Sequence, residues 1–246
     1  MKMIAGARQR LPLFAVLVVL LSGCDSPTTG LLERSFEYDL TRAIGAEGWN
    51  AGFADYPVAA EQTMELSSGH EALPPGLPLE GSGLYSAGTN HSDDLFMFWK
   101  RRVDGLRPMT RYRVEMMVEF ASRSPSGCAG VGGAPGESVF LKAGATGSEP
   151  LSEITQEGGV AMRRMNVDKG DQSEGGAGVG VLGHIGTAAG DCAAPAWEIR
   201  RLESDGGLEV ASAADGSLWL LVGTDSGFEG RTEIYFTRVR ARFRPV

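Results

Sequence analysis

Carboxylates collect in three turn-rich stretches of this chain: Thr89-Asn90-His91-Ser92-Asp93-Asp94, Asn166-Val167-Asp168-Lys169-Gly170-Asp171-Gln172 and Gly223-Thr224-Asp225-Ser226-Gly227-Phe228-Glu229-Gly230. Carboxylates mixed with amides, hydroxyls and glycine carbonyls are the oxygen ligands that calcium takes. Asp93, Asp94, Asp168, Asp171, Asp225 and Glu229 are therefore the candidate metal ligands, with calcium as the candidate cofactor. None of the loops has EF-hand spacing, so a site would be assembled from separate loops. The competing reading is turn chemistry, in which Asp, Asn and Gly bond the nearby backbone. An envelope glycoside hydrolase would draw its two carboxylates from the same residues, Asp93, Asp94 and Asp225 first. That reading requires them to converge in one cleft.

A second candidate is aromatic. Trp49, Phe53 and Tyr56 fall in the irregular segment Gly48-Trp49-Asn50-Ala51-Gly52-Phe53-Ala54-Asp55-Tyr56-Pro57. Rings on a loop, with Asn and Asp beside them, suit a sugar, whose apolar faces stack while its hydroxyls find polar partners. These three residues are the candidate ligand-binding set; the competing reading places Trp49 and Phe53 at one end of the core.

Other motifs yield no reaction. His70, His91 and His184 lack a second His at helical spacing, and no Gly-x-Ser-x-Gly elbow exists. Gly178-Val179-Gly180-Val181-Leu182-Gly183 has dinucleotide-loop spacing, but no helical pattern follows it. No residue is assigned a catalytic role, and the chain is read as a non-enzyme.

The elements that would position these residues are β-strands. Tyr112, Val114, Met116, Val118 and Phe120 alternate with Arg113, Glu115, Met117 and Glu119, the period of a half-buried strand. Near the C-terminus, Tyr235, Thr237, Val239, Ala241 and Phe243 read as a buried face, with Arg238, Arg240, Arg242 and Arg244 toward solvent. Further strands are expected at Ser35–Thr41, Leu95–Val103, Ser138–Ala143, Gly178–Ile185, Trp197–Leu202 and Ser217–Val222. Thirty-five glycines and twelve prolines supply turns, and helix signal is confined to Glu33–Ala46. Many short strands without β-α alternation or repeats predict an all-β fold, an antiparallel two-sheet jelly-roll-like β-sandwich.

The N-terminus has a different character. Lys2, Arg8 and Arg10 precede an uncharged run from Leu11 to Leu21, then Ser22-Gly23-Cys24. This is the layout of a signal peptide, and the run is short of the about 20 residues needed to span a bilayer. Leu21-Ser22-Gly23-Cys24 resembles the lipobox of bacterial lipoproteins. The resemblance implies cleavage before Cys24, acylation of Cys24 with palmitate-type chains, and a membrane anchor in the cell envelope facing the periplasm or exterior. The domain plan is a signal peptide over 1–23, a lipidated tether over 24–31 and one sandwich over 32–246. Asp25 resembles the inner-membrane retention signal of enteric bacteria.

Loss of residues 1–23 removes three basic groups and no acidic one, which leaves 20 Lys+Arg against 31 Asp+Glu, a formal charge of −11. Such a domain repels nucleic acid and anionic headgroups. Cys128 and Cys192 remain; outside the cytoplasm, two thiols in glycine-rich loops predict a disulfide.

Glu47-Gly48-Trp49, the stretch Gly105-Leu106-Arg107-Pro108-Met109-Thr110-Arg111-Tyr112 and the long final strand resemble jelly-roll carbohydrate-binding modules. In that group the second stretch is a turn into a central strand. Asn90–Phe98 and Gly223–Gly230 are similar to stretches of uncharacterised bacterial lipoproteins, a likeness that implies no activity. The expectation is a non-enzymatic, membrane-anchored lipoprotein binding carbohydrate or another envelope ligand. The alternatives are the envelope hydrolase and a protein-binding scaffold with a large exposed apolar patch.

Overall fold

Two antiparallel sheets packed face to face make up a computed structural model that describes residues 33–246. The expected signal peptide, the expected lipidation residue Cys24, Asp25 and the expected tether lie outside the described residues. The strands, in chain order, are β1 (Arg34–Asp39), β2 (Asn50–Ala54), β3 (Tyr56–Pro57), β4 (Ser67–Ala72), β5 (Ser82–Thr89), β6 (Leu95–Val103), β7 (Arg111–Ser122) and β8 (Val139–Thr146). They continue with β9 (Ser152–Glu157), β10 (Val160–Met165), β11 (Val179–His184), β12 (Glu198–Glu203), β13 (Leu208–Ala211), β14 (Leu218–Ser226) and β15 (Arg231–Pro245). The seven-stranded sheet runs β12-β7-β15-β5-β4, with β1 on β15 and β13 on β7; the five-stranded sheet runs β11-β8-β14-β6-β2. A small third sheet, β3-β10-β9, completes the structure. The expected helical turn within Glu33–Ala46 is instead β1 followed by turns, and one 3-10 turn occurs at Val58–Thr63. Among the described residues no helix is long and apolar enough to cross a membrane.

The alternation in β7 does what its period dictates. Tyr112, Val114, Met116, Val118 and Phe120 all point into the core, facing Leu218, Leu220 and Val222 of β14 and Leu141 and Ala143 of β8. Gly105–Thr110 forms the turn into β7, where Arg107 N–H donates to the buried Tyr112 hydroxyl at 2.9 Å.

β15 departs from its expected faces. Its register against β7 slips between Phe236 and Arg238, so that Thr237 is an extra residue, a β-bulge. Because side chains alternate with period two, one extra residue exchanges the faces. Val239, Ala241 and Phe243 are buried as expected, but ahead of the bulge Ile234 and Phe236 enter the core. Tyr235, expected inside, is turned onto the outer face and is half-buried. Gly83 of β5 permits the approach: a Cβ there would lie 3.2 Å from Tyr235 Cβ and 3.0 Å from Phe236 O.

Beyond the bulge the outer face is a ladder of ion pairs, Arg238 with Glu37 and Asp39, Arg240 with Glu203, and Arg242 and Arg244 with Glu33 and Glu115. These exposed pairs contribute at most about 1 kcal/mol each.

Candidate functional site

The bulge builds a surface absent from the sequence reading. Tyr235 sits opposite Tyr85 of β5 on one side and Ala121 of β7 on the other, and Tyr85 faces Gly69 of β4. The Tyr85 and Tyr235 ring centroids are 4.8 Å apart, and Trp197, just ahead of β12, meets Tyr235 edge-on at 5.3 Å. Arg123 lies over the Trp197 ring at 5.5 Å. Trp197 and Tyr235 are half-buried, and the neighbours Ala121 and Gly69 are too small to cover them. The result is an aromatic strip across the outer face of the seven-stranded sheet.

Glu233 organises the polar side of the strip. It accepts from the Tyr85 hydroxyl at 3.1 Å and pairs with Arg123 at 2.8 Å and Arg231 at 3.1 Å. Burial, then the charge of Glu233, pushes the Tyr85 phenol up to about 12. Burial also raises Tyr235, helped by Glu71 and Glu233. Both phenols therefore stay protonated, able to donate, at neutral pH. Next to the strip a pocket of ≈ 250 Å³ is lined by Phe228, Pro135, Pro195, the Cys128–Cys192 disulfide and the Arg123–Glu233–Arg231 group. Polar and apolar walls share this hollow about equally, and convergent polar groups are what orient a small ligand in such a site.

The disulfide expected between Cys128 and Cys192 is present, with Cα atoms 5.6 Å apart. It closes a long loop, 64 residues in sequence separation, which the chain-entropy account values at about 4 kcal/mol. Cys128→Ser should therefore lower the melting temperature in calorimetry by roughly 10 °C; a change of less than a few degrees would mean that the two loops hold together without it.

Trp49, Phe53 and Tyr56 do not form a platform. Trp49 is 3% exposed and joins the main core, edge-on to Tyr38 at 5.5 Å. Tyr56 is 2% exposed and packs with Met64, Leu95 and Met97, with Phe53 against the same group. β2 and β3 draw the segment into the sheets and bury the rings of Trp49 and Tyr56, while Phe53 stays half-buried against the same group.

Of the six acidic loop residues, the structure brings Asp94 and Asp225 together and adds Asp55; one oxygen from each lies within 4.8 Å of the others. The remaining four serve their own loops or stand beside this group. The Asp168 carboxylate accepts from Gly170 N and Ala177 N. Asp93 adopts φ 62° and its carbonyl accepts from Gln172. Glu229 N–H donates to Val131 O, and Asp171 lines the cleft beside Asp94.

The trio comes with its own cations. Asp225 Oδ2 is 2.8 Å from Lys169 Nζ and 3.3 Å from Lys142 Nζ, and accepts from Gln172 N at 2.9 Å. Lys169 Nζ also reaches Asp55 at 3.0 Å, and Arg164 reaches Asp94 at 3.1 Å and Asp55 at 3.6 Å. Burial opposes the charge on Lys169, but Asp225 and Asp55 outweigh it and hold its pKa above the ordinary value. Thus an ammonium group stands where a bound cation would neutralise Asp55 and Asp225. Asp225 has no exposed side-chain surface, so a glycosidic bond could not reach it as the hydrolase reading requires.

No family model matches this sequence, and no curated protein matches it. Among solved structures, the chain is similar to a carbohydrate-binding module with specific mannan recognition, at 13% identity and TM-score 0.37, covering 86% of this chain and 99% of that one. It is similar to the family 11 carbohydrate-binding module of a Clostridium thermocellum cellulosomal cellulase, at 8% identity and TM-score 0.36, covering 89% and 97%. The K1 cleaved adhesin domain of Lys-gingipain from Porphyromonas gingivalis is a third, at 6% identity and TM-score 0.34, covering 86% and 98%. No residue role is transferred from any of them.

Proposed function

We propose that this protein is a non-enzymatic, lipid-anchored envelope protein that binds carbohydrate on the strip Trp197–Tyr235–Tyr85. The strip carries the reading. It offers two part-exposed rings to the apolar face of a sugar, with phenols, two arginines and Glu233 beside them for hydroxyls. From Trp197 through Tyr235 to Tyr85 the ring centroids step 5.3 and 4.8 Å, a contact for a short stretch of a sugar chain. The envelope address rests on the lipobox-like Leu21-Ser22-Gly23-Cys24, and a disulfide between Cys128 and Cys192 suits an oxidising compartment.

Affinity electrophoresis tests it. Gels cast with mannan, β-glucan, xylan or galactan should include one that retards the protein and does not retard a Tyr235→Ala variant. Equal retardation of the two would remove the strip from the function, and free migration in every gel would remove carbohydrate.

A further inference from the structure

Between β11 and β12 the chain runs Ala188-Ala189-Gly190-Asp191-Cys192-Ala193-Ala194-Pro195-Ala196, and Trp197 of the aromatic strip follows directly. Alanine, glycine and one proline bury little apolar area, and every residue from Gly190 to Ala196 is exposed. The hydrogen bonds of this loop stay local. Asp191 and Ala194 exchange backbone bonds, the Asp191 carboxylate accepts from Ala193 N and Ala194 N, and Gly190 bridges to Pro195. Ala188 N and Ala189 N donate to Glu198 on one stem of the loop, while Thr187 ties the other stem to the backbone of Ser124 and Ser126.

Among the described residues, one bond leaves this loop for a distant part of the chain: the disulfide from Cys192 to Cys128. Packing does not replace it. Pro195 and Cys192 line the pocket of ≈ 250 Å³ together with Pro135 and Phe228, so the loop borders a hollow rather than a filled core. Trp197 stands where the loop ends. Its ring is half-buried, meets Tyr235 by an edge and carries the part-exposed Arg123 over its face. Pairing of β12 begins one residue later, at Glu198 with Ser122, so the Trp197 backbone takes its order from the loop on one side.

We propose that the Cys128–Cys192 disulfide positions Trp197 for ligand, and that an external dithiol, by reducing it, weakens binding at the strip. The proposal rests on the carbohydrate reading above and adds a control to that site. Cys192 is exposed and Cys128 buried, so a thiolate reaches the bond from the Cys192 side. Its attack forms a mixed disulfide with Cys192 and releases Cys128 as a thiolate; the second thiol of the reductant then closes its own disulfide and releases Cys192. Two electrons pass to the protein, the dithiol is oxidised, and its two protons go to the cysteine sulfurs. Once cut, the loop regains the conformational freedom that the crosslink removed. A sugar must then order Trp197 as it binds, and that ordering is subtracted from the affinity.

The test compares the full chain, oxidised and reduced with dithiothreitol, in gels cast with mannan, β-glucan, xylan and galactan. In the gel that retards the oxidised protein, reduction should weaken the affinity about tenfold, the scale of ordering one side chain and its loop on binding. Trp197→Ala should bind weakly and equally in both redox states, because a disulfide that acts through Trp197 then has nothing left to position. In ¹⁵N spectra without sugar, reduction should move the Trp197 indole N–H resonance, speed amide exchange over residues 188–196, and leave Trp49, Trp99 and Trp219 in place. An unmoved Trp197 resonance overturns the proposal. So does a tenfold loss that persists in Trp197→Ala, or movement of all four tryptophans, since either would make the crosslink a support of the whole fold. Cys128→Ser/Cys192→Ser reproduces the reduced state without reagent and must match it. Free migration of the oxidised protein in every gel, with Trp197 still moved by reduction, would remove carbohydrate and leave the positioning of Trp197 standing.

Discussion

Lys142→Met will lower the melting temperature by roughly 10 °C. Lys142 and Asp225 are both without exposed side-chain surface, and their Nζ and Oδ2 atoms are 3.3 Å apart. Asp225 keeps Lys169 at 2.8 Å when Lys142 is removed, so the loss comes mainly from the buried acceptors that Lys142 satisfies, about 1–3 kcal/mol each, which for a domain of this size is that temperature shift. The methionine stem fills the same volume, so the loss measures polar contacts rather than packing. Two of those acceptors are Lys169 O and Glu174 O, to which the lysine donates. The double variant Lys142→Met/Asp225→Leu should not recover the loss, since Lys169 and Gln172 N then lose Asp225 as their partner as well. Thermal unfolding by circular dichroism checks both; a single variant within about 2 °C of the native protein would mean that the pair is solvated in solution.

The second large effect is on binding. Tyr235→Ala should weaken the affinity for the retarding polysaccharide by about 30-fold, close to 2 kcal/mol, as expected when a central aromatic anchor is truncated. Tyr235 touches both other rings, at 4.8 and 5.3 Å, so its removal also leaves Trp197 and Tyr85 unsupported. Folding should be little affected, because Tyr235 faces away from a core that Ile234 and Phe236 fill. Titration calorimetry with the same polysaccharide gives the ratio; a change below threefold would mean that the ring only packs against the sheet.

The strands were legible where apolar residues alternate over a long enough run. Leu95–Val103 carries enough bulky residues that its bounds coincide with β6, and the alternation from Tyr112 to Phe120 fell inside β7. β4 and β9 were not legible, being rich in Ser and Glu, nor was β10, whose Val-Ala-Met-Arg-Arg-Met does not alternate. The aromatic strip was missed because a bulge cannot be seen from periodicity taken over a whole strand. The signal was nonetheless present: Ile234 and Phe236 are apolar in one phase, Val239, Ala241 and Phe243 in the other, and a strand buried on one face can satisfy both only by slipping between them.

The carboxylate cluster was half legible. Asp94 and Asp225 stood out in polar loops, but Asp55 was hidden among aromatics and the lysines went unweighed. Lys142, alone in the apolar run Val139-Phe140-Leu141-Lys142-Ala143, was the telling residue. A lysine inside such a strand needs a buried anion, and Asp225 two strand positions from the pairing of Lys142 with Gly223 supplies it. Trp49 misled because a ring in an irregular segment has the same sequence signature whether it meets a ligand or the core.

The most direct measurement of the carbohydrate claim uses the four tryptophans of the chain as reporters. Trp49 and Trp99 are in the main core, Trp219 lies under Lys100 on the five-stranded sheet, and Trp197 is on the strip. With ¹⁵N-labelled protein, titrating the retarding polysaccharide's oligosaccharide should move the Trp197 indole N–H resonance and leave the other three in place. Movement at Trp219 alone would put the ligand on the opposite sheet, and a spectrum with all four unmoved at saturation would contradict the account.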